Sequence, residues 1–275
     1  LLGESPIYRQ RDQTLHYIDV LISTIHIIHI SVPDKRRSIT CPEPVASVNL
    51  CEGNDDAGGY LVCTYTGIAR LSEDGEWTAL KELVTDKERG KVRLNDSAVD
   101  GKGRLWVGSL DIWLDGSDVK RPYIPDGYEP LGSLYRYDPD GSLHTIIDGG
   151  IVCSNGIGWT GDYCTMFHTD SFRQTIWAFD YKLESGDICN RRVQVDRSGQ
   201  EGEPDGLVVD TEGCLFTFIW EGSMVEKYDP TGGLVRRWRL DAHNVTHGAW
   251  AGERMDQLFV TTAKGKRTDQ GGGLF

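Results

Sequence analysis

The sequence predicts an all-β protein, a six-bladed β-propeller with four-stranded antiparallel blades around a central channel. A short apolar segment of similar design recurs six times, and each copy is followed by an Asp- and Gly-rich turn and a β-branched or aromatic strand. The equivalent positions Leu15, Tyr60, Leu105, Cys164, Leu215 and Leu258 are 45, 45, 59, 51 and 43 residues apart. One blade of four antiparallel strands needs about 40 to 50 residues.

The innermost strand of each predicted blade begins at one of the recurring segments. These are GESPIY (3–8), PVASVNL (44–50), LNDSAVD (94–100), SNGIGW (154–159), PDGLVVD (204–210) and THGAWAG (246–252). Four of them start with a carboxylate or carboxamide side chain, at Glu4, Asn95, Asn155 and Asp205. Because the innermost strands of a propeller all run in the same direction along the axis, we expect these side chains to converge at one mouth of the channel.

The other strands complete the blades. Second strands are predicted at 15–20, 60–65, 105–110, 164–170, 215–220 and 258–263, third strands at 25–30, 67–71, 133–138, 175–181, 224–229 and 271–275, and fourth strands at 38–41, 77–83, 143–148, 192–196 and 234–240. The sixth unit has no fourth strand after Phe275. Since propellers commonly close with a strand from the other terminus, we expect a short N-terminal closing segment before Leu1. No stretch resembles a linker, so residues 1–275 are interpreted as one domain.

Composition narrows the class of protein. The chain is 39% hydrophobic and 26% charged, and it has no apolar run near 18 residues, so we expect neither a membrane span nor a membrane partner. A net charge of −13 disfavours binding to nucleic acid. The seven cysteines include no CxxC pair, which favours small buried hydrophobes in a reducing compartment over a disulfide framework. We therefore predict a cytoplasmic protein; its oligomeric state is left open.

The converging side chains suggest a cation site. Glu4, Asn155 and Asp205 offer three oxygen ligands and a formal charge of −2, which suits a hard cation such as calcium or magnesium. Coordination positions beyond these three ligands would take water and substrate, as in a catalytic site. The alternative is that the Asn-Gly and Asp-Gly dipeptides are ordinary turns. Their recurrence at one point of the repeat, with Glu4 at the matching position, favours the site.

The chain resembles the gluconolactonase and regucalcin (senescence marker protein) family of calcium-dependent lactonases. The resemblance runs through essentially the whole chain, in order, in segments GESP (3–6), HYIDV (16–20), RLND (93–96), VDGKGRLWVGSL (99–110), SNGIGW (154–159), TDSFRQTIWAFDY (169–181), NRR (190–192) and EPDGLVVDTEG (203–213). It implies a six-bladed propeller that opens a lactone ring, with a small-molecule lactone as substrate.

The resemblance also implies roles for individual residues. Glu4, Asn155 and Asp205 match the family's ligands to one divalent cation, calcium in the first place, with zinc, magnesium or manganese as alternatives. Arg93 and Asn95 match its substrate contacts. Glu129, in YEPLGSLY, is the nearest counterpart of a further substrate contact.

The implied mechanism is hydrolysis in which the metal polarises the lactone carbonyl and activates water. Arg93 and Asn95 would orient the ring, and Asp205 would take the proton of the attacking water with an uncoordinated oxygen. No GxSxG segment supports a serine hydrolase. Asp170 is interpreted as a strand-end hydrogen-bonding residue or as a support for the metal ligands.

The chain departs from the family pattern at Ser97 and Leu110, which could reshape the pocket, and at the entry to the sixth blade. His247 stands there where a Thr-rich segment is usual, and it is either structural or a second proton carrier. An insertion at 111–131 accounts for the 59-residue spacing, and we interpret it as a lid that helps to select substrate or as a longer surface loop.

Two other functions stay open. One is a non-catalytic propeller, either a calcium-binding regulator or an interaction platform. The other is a specialised biosynthetic lactonase, esterase or isomerase on the same scaffold. The presence of Glu4, Arg93, Asn95, Asn155 and Asp205 together favours the lactonase.

Overall fold

The computed structural model describes residues 1–51, 58–116, 123–265 and 271–275. Within these residues the chain is an all-β propeller of small antiparallel sheets, five of them four-stranded and one two-stranded. Among the described elements, none is a helix long and apolar enough to cross a membrane. Of the seven cysteines, which were predicted to be small buried residues, four are buried (Cys41, Cys63, Cys153 and Cys214), Cys51 is partly buried, and Cys164 and Cys189 are exposed.

Strands within each four-stranded sheet follow one another in chain order. The first sheet contains β1 (Gly3–Arg9), β2 (Thr14–Asp19), β3 (Thr24–His29) and β4 (Val32–Thr40). The second contains β5 (Val45–Cys51), β6 (Gly59–Thr64), β7 (Gly67–Ser72) and β8 (Trp77–Glu82). The third contains β9 (Val92–Val99), β10 (Leu105–Asp111), β11 (Gly132–Tyr137) and β12 (Leu143–Ile151), with the short helix α1 (Ile112–Asp115) after β10.

The remaining sheets follow the same order. The fourth contains β13 (Ser154–Trp159), β14 (Thr165–Asp170), β15 (Thr175–Lys182) and β16 (Asp187–Asp196). The fifth contains β17 (Glu203–Val209), β18 (Leu215–Trp220), β19 (Met224–Tyr228) and β20 (Leu234–Arg239). The sixth contains β21 (Asn244–Ala251) and β22 (Gln257–Ala263). Two 3-10 turns, Gln10–Asp12 and Val20–Ile22, follow β1 and β2.

Burial decreases from the inner strands of a sheet to its outermost strand. All seven residues of β10 are buried, whereas β4 is exposed along nearly its whole length. Charged side chains at Lys35, Arg36 and Arg37 occupy this exposed edge, where they discourage pairing with another chain. The polar composition of β4 also explains why the sequence predicted its start at Ser38, although pairing begins at Val32.

Apolar side chains fill the wedges between neighbouring sheets. Leu94 and Leu105 of the third sheet pack with Cys63 and Ile68 of the second, and all four are almost fully buried. The innermost strands β1, β5, β9, β13, β17 and β21 each contact the next, and β21 contacts β1 again. The six predicted innermost strands therefore form a closed ring around the channel.

The sixth sheet differs from the prediction of six four-stranded blades. Two strands pair fully, and isolated bridges join Leu2 to Ala263 and Leu274 to Thr261. Backbone hydrogen bonds of 2.9 Å run in both directions between Val260 and Phe275. The predicted third strand at 271–275 thus pairs at its end only, and the residues that lead into it, 266–270, lie outside the described part. Four strands per blade are confirmed for five sheets.

Candidate functional site

Every innermost strand breaks its pairing with the second strand at the same place. The register shifts after Glu4 in β1, between Leu94 and Ser97 in β9, after Ser154 in β13 and after Pro204 in β17. Such bulges re-aim side chains and are common beside functional sites. The predicted ligands lie at or beside these bulges, which is why side chains on separate sheets meet at one mouth of the channel.

The glycines of the SNG and PDG segments do not form turns, so the turn interpretation is wrong. Both lie inside strands, and neither has a positive φ. A Cβ on Gly156 would lie 2.4 Å from the backbone nitrogen of Leu207, and one on Gly206 would lie 2.2 Å from the ring of His247. These glycines let neighbouring innermost strands approach closely, immediately after the predicted ligands Asn155 and Asp205.

A cavity of about 290 Å³ lies at this mouth, and we call it the main cavity. It is lined by Leu2, Glu4, Val20, Ala46, Arg93, Asn95, Asp96, Leu110, Asp115, Cys153, Asn155, Ser171, Glu203, Asp205 and Trp220. Five of the six predicted site residues therefore lie around one cavity. The sixth, Glu129, is exposed and does not line it, so its role stays a prediction.

Asp205 is buried and Glu4 is partly buried, and the ionised forms of both carboxyl groups are unfavourable without a counter-charge. Burial raises the pKa of Glu4 to about 8, against an opposing effect of the His247 imidazole. Burial also raises the pKa of Asp205 well above its ordinary value, and the negative charge of Glu4 adds to this shift. A hard divalent cation would supply the missing positive charge, and the donor set of two carboxylates and one carboxamide fits such a cation.

Asn155 is held in place from the neighbouring strand end. Its Nδ2 donates a hydrogen bond of 3.1 Å to Ser171 Oγ. The segment before it is fixed by Asp170, whose carboxylate accepts the backbone N–H groups of Val152 and Cys153 at 3.1 and 3.0 Å. Asp170 is therefore the predicted strand-end hydrogen-bonding residue, and it fixes the start of the strand that carries Asn155.

Arg93 and Asn95 form a connected pair on the third sheet. Arg93 Nη1 donates to Asn95 Oδ1 at 3.0 Å, and its guanidinium lies 4.9 Å from the centre of the Tyr65 ring. Asn95 Nδ2 donates to the carbonyl of Ser154 at 2.9 Å, which joins β9 to β13. These contacts hold both side chains in a fixed arrangement beside the predicted ligands.

Asp96 is a site residue that the sequence analysis missed. Its side chain is buried beside the cavity, and its Oδ2 atom lies 3.2 Å from Nε2 of His247. His247 Nδ1 lies 2.7 Å from the backbone nitrogen and 3.0 Å from the carbonyl oxygen of Gly248, so these contacts hold the ring with its Nε2 atom beside Asp96. The sequence did contain a signal for Asp96, because it is the last residue of RLND, follows Asn95 directly and lies in the same bulge.

The electrostatics around His247 follow from this contact. Burial lowers its pKa, but the carboxylates of Asp96 and Glu4 more than offset this effect, so the pKa lies above its ordinary value. The ring also stacks on Phe218, with centroids 5.9 Å apart and an angle of 20°. His247 thus faces the channel, which its interpretation as a second proton carrier requires. That role itself stays a prediction.

The described part of the 111–131 insertion borders the same cavity. Leu114 of α1 is buried with Leu110 and Phe172, and the rings of Trp113 and Tyr128 lie 4.8 Å apart. Tyr128 donates its hydroxyl to Asp111 Oδ2 at 2.7 Å. Residues 117–122 lie outside the described residues, and the function of the insertion as a lid stays a prediction.

A separate acidic group lies at the far end of β17. Asp210, Glu212 and Cys214 offer ligand atoms within 4.8 Å of one another. Asp210 already accepts the backbone N–H groups of Glu212 and Cys214 and the ammonium of Lys227. These contacts organise the turn between β17 and β18, and the group is distinct from the predicted ligands.

Comparisons with known proteins agree with this geometry. A family model described as the SMP-30/Gluconolactonase/LRE-like region matches residues 2–264. Regucalcin of Gallus gallus is 30% identical over 287 residues, which cover 100% of this chain and 89% of that protein. A calcium-binding protein, regucalcin, of Agrobacterium tumefaciens is similar with a TM-score of 0.85 and 22% identity over 100% of this chain and 89% of that one. A gluconolactonase of Xanthomonas campestris has a TM-score of 0.72 and 21% identity over 94% and 82% of the two chains.

Proposed function

Since this chain belongs to the SMP-30/Gluconolactonase/LRE-like family, as the motifs in its sequence predicted, we propose that it is a divalent-metal-dependent lactonase. The substrate would be a small-molecule lactone, opened by water. Calcium is the proposed cation, with zinc, magnesium and manganese as alternatives.

One observation supports this proposal above the others. Glu4, Asn155 and Asp205 come from three different sheets and line one cavity together with Arg93 and Asn95. Desolvation raises the pKa of both carboxyl groups and so disfavours their ionised forms in the absence of a cation. A structural role would not need a partly buried and a buried carboxyl group beside each other, because their mutual repulsion destabilises the fold.

The chemistry divides between the cation and the protein. When bound by Glu4, Asn155 and Asp205, a divalent cation would supply Lewis-acid polarisation of the lactone carbonyl. Arg93 and Asn95, already fixed to each other at 3.0 Å, would orient the ring. Asp205 would accept the proton of the attacking water with its uncoordinated oxygen. Glu129 would contact substrate only after the loop that carries it moves toward the cavity.

A calcium-binding regulator is the second candidate. The name regucalcin and the description of the Agrobacterium protein as calcium-binding favour it. The same three ligands would serve both functions, but Arg93 and Asn95 would then have no substrate to orient. A specialised biosynthetic lactonase or esterase would share the ligands and differ in the lactone or ester that it opens.

The test is base uptake at constant pH by chelator-treated protein, with a panel of lactones and with calcium, magnesium, manganese or zinc added back. We expect metal-dependent turnover that is lost in Glu4→Ala and retained in Glu43→Ala, an exposed carboxylate away from the cavity. Metal binding without turnover on any lactone would favour the regulator, and turnover that persists without any divalent metal would contradict the proposal.

Three further expectations remain part of the proposal. The two-stranded sheet β21–β22, with the bridges at Leu2 and Leu274, is interpreted as the sixth blade. Residues 1–275 are interpreted as one domain. A cytoplasmic location is proposed from the free cysteines.

A further inference from the structure

A second cavity adjoins the main cavity. It has a volume of about 390 Å³ and shares Arg93, Leu110 and Asp115 with the main cavity. Its other lining residues are Tyr65, Thr66, Arg89, Gly90, Val92 and Ile112. We call it the side cavity. The three shared residues line both cavities, so the side cavity lies directly beside a molecule bound in the main cavity.

The side cavity is mainly apolar, unlike the main cavity. Tyr65, Val92, Leu110 and Ile112 supply aromatic and aliphatic surface. Val92 and Leu110 are buried, while Ile112 is 36% exposed although it is a large aliphatic side chain. A concave and mainly apolar surface is the usual form of a small-molecule site.

The charged groups of this cavity already have partners. Arg89 pairs with Glu82 at 2.6 Å and with Asp86 at 3.1 Å. Arg93 is held by Asn95 and lies over the face of Tyr65. Because these charged groups already have partners, the largest contribution to binding free energy in this cavity comes from contact of a ligand with the aliphatic surface.

Backbone hydrogen bonds fix the walls of the side cavity relative to one another. The Ile112 N–H donates to the carbonyl of Lys91 at 2.9 Å, which ties α1 to the loop before β9. The Leu94 N–H donates to the carbonyl of Tyr65 at 2.9 Å, which ties β9 to the end of β6. A cavity whose walls are fixed in advance binds with a smaller entropic cost.

We propose that the side cavity binds an alkyl substituent of the lactone ring, so that the preferred substrates are alkyl-substituted lactones. This inference rests on the proposed lactonase function, which places the reacting ring in the main cavity. Hydroxyl groups in place of the alkyl chain would lose their hydration against Val92 and Ile112 without gaining hydrogen bonds there. The shared Arg93 would contact the ring where the chain leaves it.

The first test is a series of γ-lactones whose 4-alkyl chain grows from hydrogen to octyl. With metal-loaded protein, kcat/KM should rise up to about fourfold for each methylene until the cavity is filled. The replacement Ile112→Ser should flatten this dependence. The matched control Val235→Ser, an exposed valine on the outer strand β20, should keep it. Turnover of every lactone with no dependence on chain length would overturn the inference and leave the lactonase function standing.

A second measurement does not depend on turnover. Titration calorimetry with the corresponding alkyl γ-lactams, which have a ring of the same size with N–H in place of the ring oxygen and resist hydrolysis, should give dissociation constants that fall with chain length in the unmodified protein. The fall should disappear in Ile112→Ser and persist in Val235→Ser. Dissociation constants independent of chain length would overturn the inference even if the protein hydrolyses no lactone.

Discussion

The imidazole of His247 and the carboxylate of Asp96 meet inside the channel, with Nε2 and Oδ2 separated by 3.2 Å. The two residues belong to the first strand of the sixth sheet and the first strand of the third sheet. Both side chains are largely buried. Because the third and sixth sheets are not neighbours in the ring, the contact joins distant parts of the ring across the channel.

The first prediction concerns the strength of this contact. Because His247→Asn leaves the Asp96 carboxylate buried without its partner, we expect the free energy of unfolding to fall by about 3–5 kcal/mol. Asp96→Asn combined with His247→Asn should cost less than the sum of the single changes, with a coupling energy of about 1–3 kcal/mol. Urea denaturation of the four proteins measures this cycle.

A matched pair on the surface provides the control. His144 and Asp138 also lie close, at 3.5 Å, but His144 is 44% exposed. Their coupling should be within about 0.5 kcal/mol because solvent screens exposed pairs. Equal coupling energies for the buried and the exposed pair would contradict our interpretation of Asp96 and His247.

The second prediction separates fold stability from metal binding at Glu4. In protein without metal, Glu4→Gln should raise the melting temperature, because it removes a carboxyl group whose ionisation is opposed by desolvation at the channel mouth. The same variant should lose most of the stabilisation that added calcium gives to the unmodified protein, since a ligand stabilises only the state that binds it. Thermal unfolding at pH 8 with chelator and with excess calcium measures both effects. An unchanged calcium response in Glu4→Gln would remove Glu4 from the proposed ligands, and Glu43→Gln serves as the exposed control.

The third prediction concerns acid sensitivity at Glu226. Burial raises the pKa of this carboxyl group, but hydrogen bonds from Arg197 and Tyr228 at 2.7 and 2.6 Å outweigh burial, so that its pKa is lowered. A lowered pKa means that this group stabilises the fold at pH values above its unfolded pKa near 4.5, and that the contribution is lost as the pH falls through the folded value. Glu226→Gln should therefore cost about 3–5 kcal/mol at pH 7 and less at pH 3.

Urea denaturation at the two pH values measures the Glu226 effect. Glu82→Gln is the control, because Glu82 pairs with Arg89 at 2.6 Å but is 54% exposed. It should cost about 0–1 kcal/mol at pH 7. A Glu226→Gln penalty that is the same at pH 3 and pH 7 would show that the ionised carboxylate is not what stabilises the fold.

Local pattern was sufficient to predict most of the fold. Alternating apolar residues between turns predicted the strands of the first five sheets. The recurrence of polar residues at strand starts predicted that Glu4, Asn155 and Asp205 lie around one cavity. Asp170 was also predictable as a strand-end residue, because it is the last residue of the predicted strand 164–170.

Contacts between distant sheets could not be predicted in this way. Asp96 and His247 meet only after the ring has closed, and no local pattern links them. The position of Glu129 depends on the path of a long loop, which spacing does not determine. Gly206 resembled a turn residue because Pro204 and Asp205 precede it, whereas the need for glycine there comes from the close approach of the His247 ring on another strand.

The last prediction tests that close approach at Gly206. A Cβ there would lie 2.2 Å from the His247 ring, so Gly206→Ala must displace either the imidazole or the strand that carries Asp205. We expect a loss of about 1–3 kcal/mol in the free energy of unfolding. We also expect weaker calcium binding by titration calorimetry, because Asp205 precedes Gly206 in the same bulge. Gly161→Ala is the control, since nothing lies within 4 Å of its added Cβ. Gly206→Ala could instead have the same stability and calcium affinity as Gly161→Ala. That result would show that β17 can shift without disturbing the site. The proposed dependence of the metal ligands on strand packing would then be wrong.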